Sequence, residues 1–267
     1  MLRRRRPGRR FRFIAPDHPP MTARAQPTHG FRYYDFLLGG TVAVLLCSNL
    51  IGPGKICEIH LPLFGMFSFS AGNLFFPIGY IFGDVLTEVY GYARARRAIW
   101  AGFGAMLFAT FMTYAVLNMP AANDDYNRAL QPALETALGN TWRVVVGSMV
   151  AYWVGDFLNS YVMAKMKVWT QGKHLWTRTI GSTICGQFAD SALFYPIAFA
   201  GLWSFDAMIG VILFNFVFKV CVEVVMTPVT YKIVAALKRA EGVDTYDTDT
   251  RFTPFSLRDE GDVRTRA

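Results

Sequence analysis

The stretch FFPIGYIFGDVLTEVYGYARARR, from Phe75 to Arg97, begins as an apolar run and ends in a basic cluster. Its apolar part contains two carboxylates, Asp84 and Glu88, at positions that a membrane-spanning helix would hold within or near the lipid. A charge at the centre of such a helix costs about 2.5 to 3.5 kcal/mol on membrane-insertion scales. The stretch therefore predicts a membrane helix whose carboxylates have a specific partner or a specific role.

The composition of the whole chain supports this interpretation. Of the 267 residues, 53% are hydrophobic, 15% are aromatic and only 17% are charged, which is unusual for a soluble protein of this size. The net charge is +8, but nine of the 27 Lys and Arg residues lie in the first 32 positions, and most of the others flank apolar runs. That distribution is typical of membrane topology and argues against a surface that binds nucleic acid.

Six apolar runs have the length of about 20 residues that a helix needs to cross the hydrocarbon core of a bilayer. They cover approximately residues 33–51, 69–91, 98–119, 142–164, 178–201 and 207–237. Because an open sheet leaves backbone groups without hydrogen bonds in lipid, each run is predicted to be a helix. The predicted fold class is an all-α integral membrane protein, with a bundle of six transmembrane helices in residues 33–238.

The distribution of basic residues predicts that both termini are cytoplasmic. The connections after the second and fourth runs contain seven Lys and Arg residues, whereas the opposite side contains three. Residues 1–32 are rich in Arg and Pro, and residues 239–267 are polar, so both segments are predicted to be disordered tails. The outer loop at residues 120–140 is polar, and the sequence leaves open whether it forms a surface helix or a lid.

Two of the predicted helices carry small residues at every fourth position. Gly79 and Gly83 form a GxxxG pattern, and Gly147, Ala151 and Gly155 repeat the same spacing. Small side chains allow neighbouring helices to approach closely. Both stripes are therefore interpreted as packing faces.

Polar side chains recur inside the spans at a spacing of three or four residues, which places them on one face of each helix. We expect these faces to meet in a polar interior. The residues concerned are Tyr80, Asp84 and Glu88 in the second run, Tyr152, Asp156 and Asn159 in the fourth, Gln187 and Asp190 in the fifth, Asn215, Lys219 and Glu223 in the sixth, and Asn49 near the outer end of the first.

Ion pairs are predicted for two of these carboxylates. Glu88 lies near the cytoplasmic end of its run and is expected to pair with Arg94 or Arg97. Glu223 follows Lys219 by four residues, a spacing at which the two side chains can pair on one helix. One lysine cannot neutralise several buried carboxylates, so an excess of hydrogen-bond acceptors is expected.

The excess of hydrogen-bond acceptors limits the kinds of ligand that the polar interior could bind. A purely structural network of lysine and carboxylates also remains open. Carboxylates and side-chain amides among aromatic rings suit a flat heterocycle with clustered N–H donors, or a cation. The aromatic residues available for stacking are Phe75, Phe76, Tyr80, Phe188, Phe194, Tyr195 and Trp203.

Three segments together resemble the queuosine precursor transporter family, also called the vitamin uptake transporter family. They are FPIGYIFGDVLTEVYGYARARR, TIGSTICGQFADSALFYPIAF and NFVFKVCVEVVMTPVTYKI, and the similarity covers about residues 33–238. The resemblance implies a six-helix inner-membrane importer of 7-cyano-7-deazaguanine and 7-aminomethyl-7-deazaguanine, which are precursors of queuosine in tRNA. It also implies a fold similar to the substrate-capture subunits of energy-coupling-factor transporters, with no enzymatic activity and no cofactor.

Within this resemblance, Asp84 or Asp190 is expected to accept the N1–H and 2-amino groups of the deazaguanine together. Lys219 is expected to donate to the carbonyl oxygen at position 6 or to hold a carboxylate, while Asn215 and Gln187 supply further hydrogen bonds. The matching segments carry these residues and Glu88, whereas Asp156 and Asn49 are assigned from the residue pattern only. The expected partners are the small-molecule substrate and the lipid bilayer. A homo-oligomer or an ATPase module is compatible with the sequence but is not indicated by it.

Two other function classes fit parts of the pattern. A substrate-capture subunit, or a carrier for another vitamin or nucleobase, would share the polar interior. An intramembrane aspartyl protease would use Asp84 and Asp156 as a carboxylate dyad, since glycine precedes each of them. However, the GxGD pattern of such proteases requires glycine where this chain has Ile81 and Trp153. The sequence contains no HExxH zinc motif, and no metal site is predicted.

Overall fold

The computed structural model describes residues 30–51, 56–61, 65–139, 142–202, 204–248, 250–256 and 262–265. The predicted basic tail, apart from residues 30–32, lies outside these ranges. Of the aromatic residues predicted to be available for stacking, Trp203 and the side chain of Phe76 also lie outside the described part.

Helices account for most of the described chain, as predicted. Six of them correspond to the six apolar runs, and one, α4, forms in the outer loop. Their bounds are α1 Tyr34–Leu50, α2 Phe76–Tyr90, α3 Tyr92–Leu117, α4 Asp125–Leu138, α5 Trp142–Trp169, α6 Leu175–Phe199 and α7 Phe205–Glu241.

The start of α2 differs from the prediction of a helix from residue 69. Strand β1 (Ile56–Leu61) pairs antiparallel with β2 (Gly65–Ser70), and a 3-10 helix (Ala71–Phe75) precedes α2. The sequence Phe67-Ser68-Phe69-Ser70 alternates apolar and polar residues, which is the period of a strand. Pro77 lies in the first turn of α2, where its fixed backbone angle and missing N–H are tolerated.

Residues 120–140, for which the sequence left open a surface helix or a lid, contain helix α4. Asp124 caps α4, because its carboxylate accepts a hydrogen bond from the backbone N–H of Asn127 at 2.8 Å. The helix and the loop before it border a shallow cavity of about 510 Å³ that is open to the surface. An open surface of this kind does not enclose a small molecule.

Two of the described helices, Tyr92–Leu117 and Met208–Glu241, are long and apolar enough to cross a membrane, with mean hydropathies of 1.5 and 2.2. The shorter helix Tyr34–Leu50 is also apolar. Large side chains on the two long helices are exposed in the isolated chain, among them Phe108 (67%), Phe111 (64%) and Val225 (72%). Exposed apolar surface on this scale is expected of helices that face lipid.

The small residues of α5 form a packing face against α6, as predicted. A Cβ atom added at Gly186 of α6 would lie 2.9 Å from the carbonyl oxygen of Gly155 and 2.9 Å from the Cβ of Asn159. Gly147 similarly faces the backbone of Phe194. The prediction for α2 is wrong, because a Cβ atom added at Gly83 would meet no described atom within 4 Å, and one added at Gly79 would make only an ordinary contact of 3.9 Å with the side chain of Val44.

Gly186→Ala is expected to lower the stability of the protein by about 1 to 3 kcal/mol, because the two helices must separate to admit the methyl group. Gly104→Ala in α3 is the matched control, since nothing lies within 4 Å of an added Cβ at that position. The apparent Tm of both variants in detergent checks the prediction. Equal Tm values for the two variants would contradict the close contact.

The chain after α7 is folded in part, which differs from the predicted disordered tail at residues 239–267. Helix α7 continues to Glu241, and β3 (Val243–Tyr246) pairs with β4 (Asp262–Thr265). We call residues 243–248 and 250–256 the C-terminal strap. Val243 is 0% exposed and Asp247 is 3% exposed, so the strap is packed against the helices. Isolated apolar residues in a polar segment gave too weak a periodic signal for this to be predicted.

Candidate functional site

The polar faces of α2, α5, α6 and α7 converge, as their spacing predicts. Asp84 of α2 is 1% exposed, lies 3.5 Å from the side-chain amide nitrogen of Asn159 in α5, and interacts electrostatically with Glu223 in α7. Asp156 of α5 interacts in the same way with Asp190 of α6. We call the following residues the polar cluster: Tyr80, Asp84, Asp156, Asn159, Asp190, Lys219 and Glu223.

The lysine of the polar cluster pairs with one carboxylate across two helices. The ammonium nitrogen of Lys219 lies 2.8 Å from Oδ2 of Asp190, joining α7 to α6. The predicted pairing of Lys219 with Glu223 is therefore wrong. An i to i+4 spacing permits a pair on one helix, but the packing of α6 against α7 provides Lys219 with a different carboxylate.

Glu223 consequently has no hydrogen-bond donor in the described part of the chain. Its side chain is 0% exposed, and neither carboxylate oxygen has a partner. Oδ2 of Asp84 and Oε1 of Gln187 are also buried without a donor. Within the described polar cluster, four acceptor oxygens of Asp84, Asn159 and Glu223 therefore have no donor, which is the kind of excess expected from the sequence.

Tyr80 occupies the centre of the polar cluster. Its hydroxyl group interacts electrostatically with Asp190, Glu223 and Asp156, which come from three different helices. Asn159, which the sequence places on the same face as Asp156, approaches Asp84 through its side-chain amide. A link that the sequence did not suggest joins Thr87 of α2 to Ser160 of α5 through their hydroxyl oxygens at 3.1 Å.

Two amides from the predicted site make hydrogen bonds within their own helices. The side-chain nitrogen of Asn215 donates to the carbonyl oxygen of Val211 at 3.1 Å. That of Asn49 donates to the carbonyl oxygen of Leu45 at 2.9 Å. Phe188, predicted for stacking, is 63% exposed and so lies away from the buried residues. In the described part of the chain, neither amide is hydrogen-bonded to the polar cluster.

Glu88 forms the centre of a second group of charges, one turn beyond Asp84. Its carboxylate is 0% exposed and accepts two hydrogen bonds from Arg178, at 2.7 and 2.8 Å, and one from Lys238 at 2.5 Å. Lys167 lies 3.4 Å from the same carboxylate. Asp244 of the C-terminal strap then bridges Lys167 and Lys238, at 2.7 Å from each. We call these five residues the ion-pair cluster.

The prediction that Glu88 pairs with Arg94 or Arg97 is wrong. Gly91, with a φ of 84°, separates α2 from α3, so the two arginines do not continue the face of Glu88. Arg94 instead donates to the carbonyl oxygen of Tyr90 at 3.3 Å and lies over the ring of Phe31. Arg97 also has other contacts.

The charges around Asp244 determine its ionisation. Burial by itself acts to raise the pKa of the Asp244 carboxyl, but the ammonium groups of Lys167 and Lys238 outweigh it and lower that pKa. A lowered pKa in the folded state means that the ion pairs of Asp244 stabilise the protein at neutral pH. This contribution is lost only as the pH falls through the lowered value.

Comparison with known proteins identifies the family of this chain. Residues 70–233 match the family described as "Putative vitamin uptake transporter". The chain belongs to this family. It is 33% identical over 170 residues to the "Probable queuosine precursor transporter" of Bacillus subtilis (strain 168), covering 63% of this chain and 72% of the relative.

A second relative is the "Queuosine precursor transporter" of Escherichia coli (strain K12). It is 26% identical over 162 residues, which is 58% of this chain and 67% of the relative. No solved structure matches the chain. The segment shared with the vitamin uptake transporter family contains the whole polar cluster, together with Glu88 and Arg178. Lys238 and Asp244, which complete the ion-pair cluster, lie beyond it.

Membership of the vitamin uptake transporter family argues against the alternative function of an intramembrane aspartyl protease. A protease dyad would join Asp84 to Asp156. In the structure, the carboxylate that interacts most strongly with Asp84 is Glu223, whereas Asp156 interacts with Asp190 and Lys219. Both the family and this pairing favour a transporter without enzymatic activity.

Proposed function

We propose that this protein imports the queuosine precursors 7-cyano-7-deazaguanine and 7-aminomethyl-7-deazaguanine across the inner membrane of the cell. The names of its relatives support the substrate class. The observation that carries the proposal is the excess of buried acceptors in the polar cluster. Deazaguanines present several N–H donors on one flat ring, and such a ligand would satisfy acceptors that the chain leaves without donors.

In this proposal α1, α2, α3, α5, α6 and α7 cross the bilayer, and both termini are cytoplasmic. The exposed apolar side chains of α3 and α7 support contact with lipid. The Lys and Arg residues at the adjoining ends of α2 and α3 and of α5 and α6 support the orientation. The ion-pair cluster then lies at the cytoplasmic ends of the helices, and the polar cluster lies deeper in the membrane.

Recognition of the ring is proposed to use Asp190 or Asp84 together with Lys219. A carboxylate can accept the N1–H and 2-amino groups of a guanine in two parallel hydrogen bonds. Lys219, held at 2.8 Å from Asp190, is placed beside such a carboxylate, where it can donate to the carbonyl oxygen at position 6. Gln187 offers a further acceptor, while Asp156 and Tyr80 complete the polar wall.

The test uses a strain that cannot synthesise deazaguanines and is supplied with a limiting amount of either precursor. Expression of the wild-type protein is expected to restore queuosine in tRNA, measured by mass spectrometry of digested tRNA. The same strain without the gene supplies the baseline. Failure of both precursors to restore queuosine would contradict the proposal and would favour another heterocycle.

Asp84→Asn is expected to reduce the restoration by at least one of the two precursors about tenfold or more, because a charged acceptor is replaced by a neutral amide in a buried site. The matched control is Asp125→Asn in α4, where the carboxylate is fully exposed and forms only a surface pair with Arg128. The amount of each variant in the membrane is measured in parallel. Equal import by the two variants at equal amounts would exclude Asp84 from the site.

A further inference from the structure

Among the described residues, the carboxylates of Asp84 and Glu223 form no ion pair with a cation. Asp84 is 1% exposed and Glu223 is 0% exposed, and the two interact electrostatically across α2 and α7. Three of their four oxygens have no hydrogen-bond donor in the described part of the chain. The fourth, Oδ1 of Asp84, has a single weak contact at 3.5 Å with the amide of Asn159.

The cations of the neighbouring groups are engaged with other carboxylates. Lys219 lies 2.8 Å from Asp190. Arg178, Lys238 and Lys167 surround Glu88. Each of these cations therefore contacts a carboxylate other than Asp84 and Glu223, although the three cations of the ion-pair cluster outnumber its two carboxylates.

The remaining surroundings of the pair are neutral or acidic. Glu88 lies on the same helix as Asp84, and Asn159 faces Asp84 from α5. From α6, the hydroxyl of Thr179, which is 0% exposed, lies beside Asp84. Two adjacent carboxylates in a buried site are stable only with a shared proton or a bound cation.

We propose that Asp84 and Glu223 together bind the primary ammonium group of a substrate, and that this pair sets the preference for the aminomethyl precursor over the cyano precursor. The inference rests on the proposed function. An alkyl amine is protonated at neutral pH, as lysine is. Its ammonium group has three N–H donors, and the pair offers three oxygens without donors. The cyano group carries no charge and no donor, so it gains nothing from this pair.

The pair also divides the polar cluster into two parts with different roles. Asp190, already neutralised by Lys219, is suited to the neutral N–H edge of the ring. Asp84 and Glu223 form no ion pair with a described cation and are suited to the ammonium arm. Glu223 is thus a determinant of specificity rather than a structural partner of Lys219.

The test measures the concentration of each precursor that half-restores queuosine in the auxotrophic strain. Glu223→Gln keeps the size of the side chain and removes its charge. It is expected to raise the required concentration of the aminomethyl precursor about tenfold or more, and that of the cyano precursor less than about threefold. Glu223→Asp, which keeps the charge, is expected to retain part of the preference. Glu135→Gln, at an exposed position of α4, is expected to change neither value.

Asp84→Asn is a second variant, for use if Glu223→Gln does not accumulate in the membrane. It is expected to raise the required concentration of the aminomethyl precursor more than that of the cyano precursor. Purified protein provides a second measurement. The aminomethyl precursor is expected to raise the apparent Tm of the wild type more than that of either amide variant. An equal loss for both precursors, or no loss for either, would overturn the inference. Wild-type protein that imports neither precursor would instead contradict the proposed function.

Discussion

Glu88→Gln is expected to destabilise the folded protein by about 3 to 5 kcal/mol, the largest effect that we predict for a single side chain. The carboxylate of Glu88 is fully buried and accepts hydrogen bonds from Arg178 and Lys238. Removal of its charge leaves these cations and Lys167 crowded around a neutral amide, with only Asp244 as a counter-charge. Desolvated cations without matching anions are the costly outcome of breaking a buried ion pair.

The apparent Tm and the yield of purified protein in detergent measure this effect. The matched control is Glu135→Gln on α4, where the carboxylate accepts a hydrogen bond only from the side chain of Gln131 and is exposed. A Glu88→Gln variant that unfolds at the same temperature as the control would show that the ion-pair cluster is not a source of stability. Import measured at equal protein amounts then separates loss of folding from loss of transport.

The features that the sequence predicted correctly depend on local periodicity. The positions of the helices follow from the length of apolar runs. Asp84, Asp156 and Asp190 each lie three or four residues from other polar residues, so each belongs to a polar face of its helix. These faces turn toward one another because charged side chains are costly in contact with lipid. The packing face of α5 follows from the small residues Gly147, Ala151 and Gly155 at every fourth position, although the same spacing in α2 did not mark a close contact. Each of these signals is contained within a single helix.

The features that the sequence did not predict depend on contacts between distant segments. Lys219 has Glu223 within reach on its own helix, and only the approach of α6 decides in favour of Asp190. Glu88 is separated by 90 residues from Arg178 and by 150 from Lys238, so no spacing rule connects them. Gly91 interrupts the helix, so Arg94 and Arg97, which lie closer to Glu88 in sequence, do not continue its face.

The C-terminal strap is the largest of these unpredicted features, and its contacts are specific. Arg96, which is 0% exposed, donates to the carbonyl oxygens of Arg251 and Thr253 at 3.0 and 2.8 Å. The indole nitrogen of Trp100 donates to the carbonyl oxygen of Pro254 at 2.7 Å. Asp247 accepts a hydrogen bond from the backbone N–H of Tyr92, at 3.0 Å from Oδ2, and so caps the first turn of α3.

Ending the chain after Gly242 is therefore expected to destabilise the protein by at least about 3 kcal/mol. The buried guanidinium of Arg96 would lose its two carbonyl acceptors in the strap. Lys167 and Lys238 would lose their ion pairs with Asp244. The truncation also removes Val243, which is 0% exposed, and so uncovers the surface against which its side chain packs. Ending the chain after Ser256 retains all of these contacts and is the matched control. The apparent Tm of both truncated proteins and their import of precursor are measured together.

The two measurements distinguish a structural strap from one that controls passage of the substrate. A shorter chain that is unstable and inactive in proportion to its loss of folded protein shows that the strap holds α3, α5 and α7 in place. A shorter chain that remains folded but imports precursor at a different rate shows that the contacts of Arg96 and Asp244 must open during each transport cycle. If the protein ending at Gly242 matches the control in both stability and import, the strap contributes little, and the burial of Val243 and Asp247 has no energetic consequence.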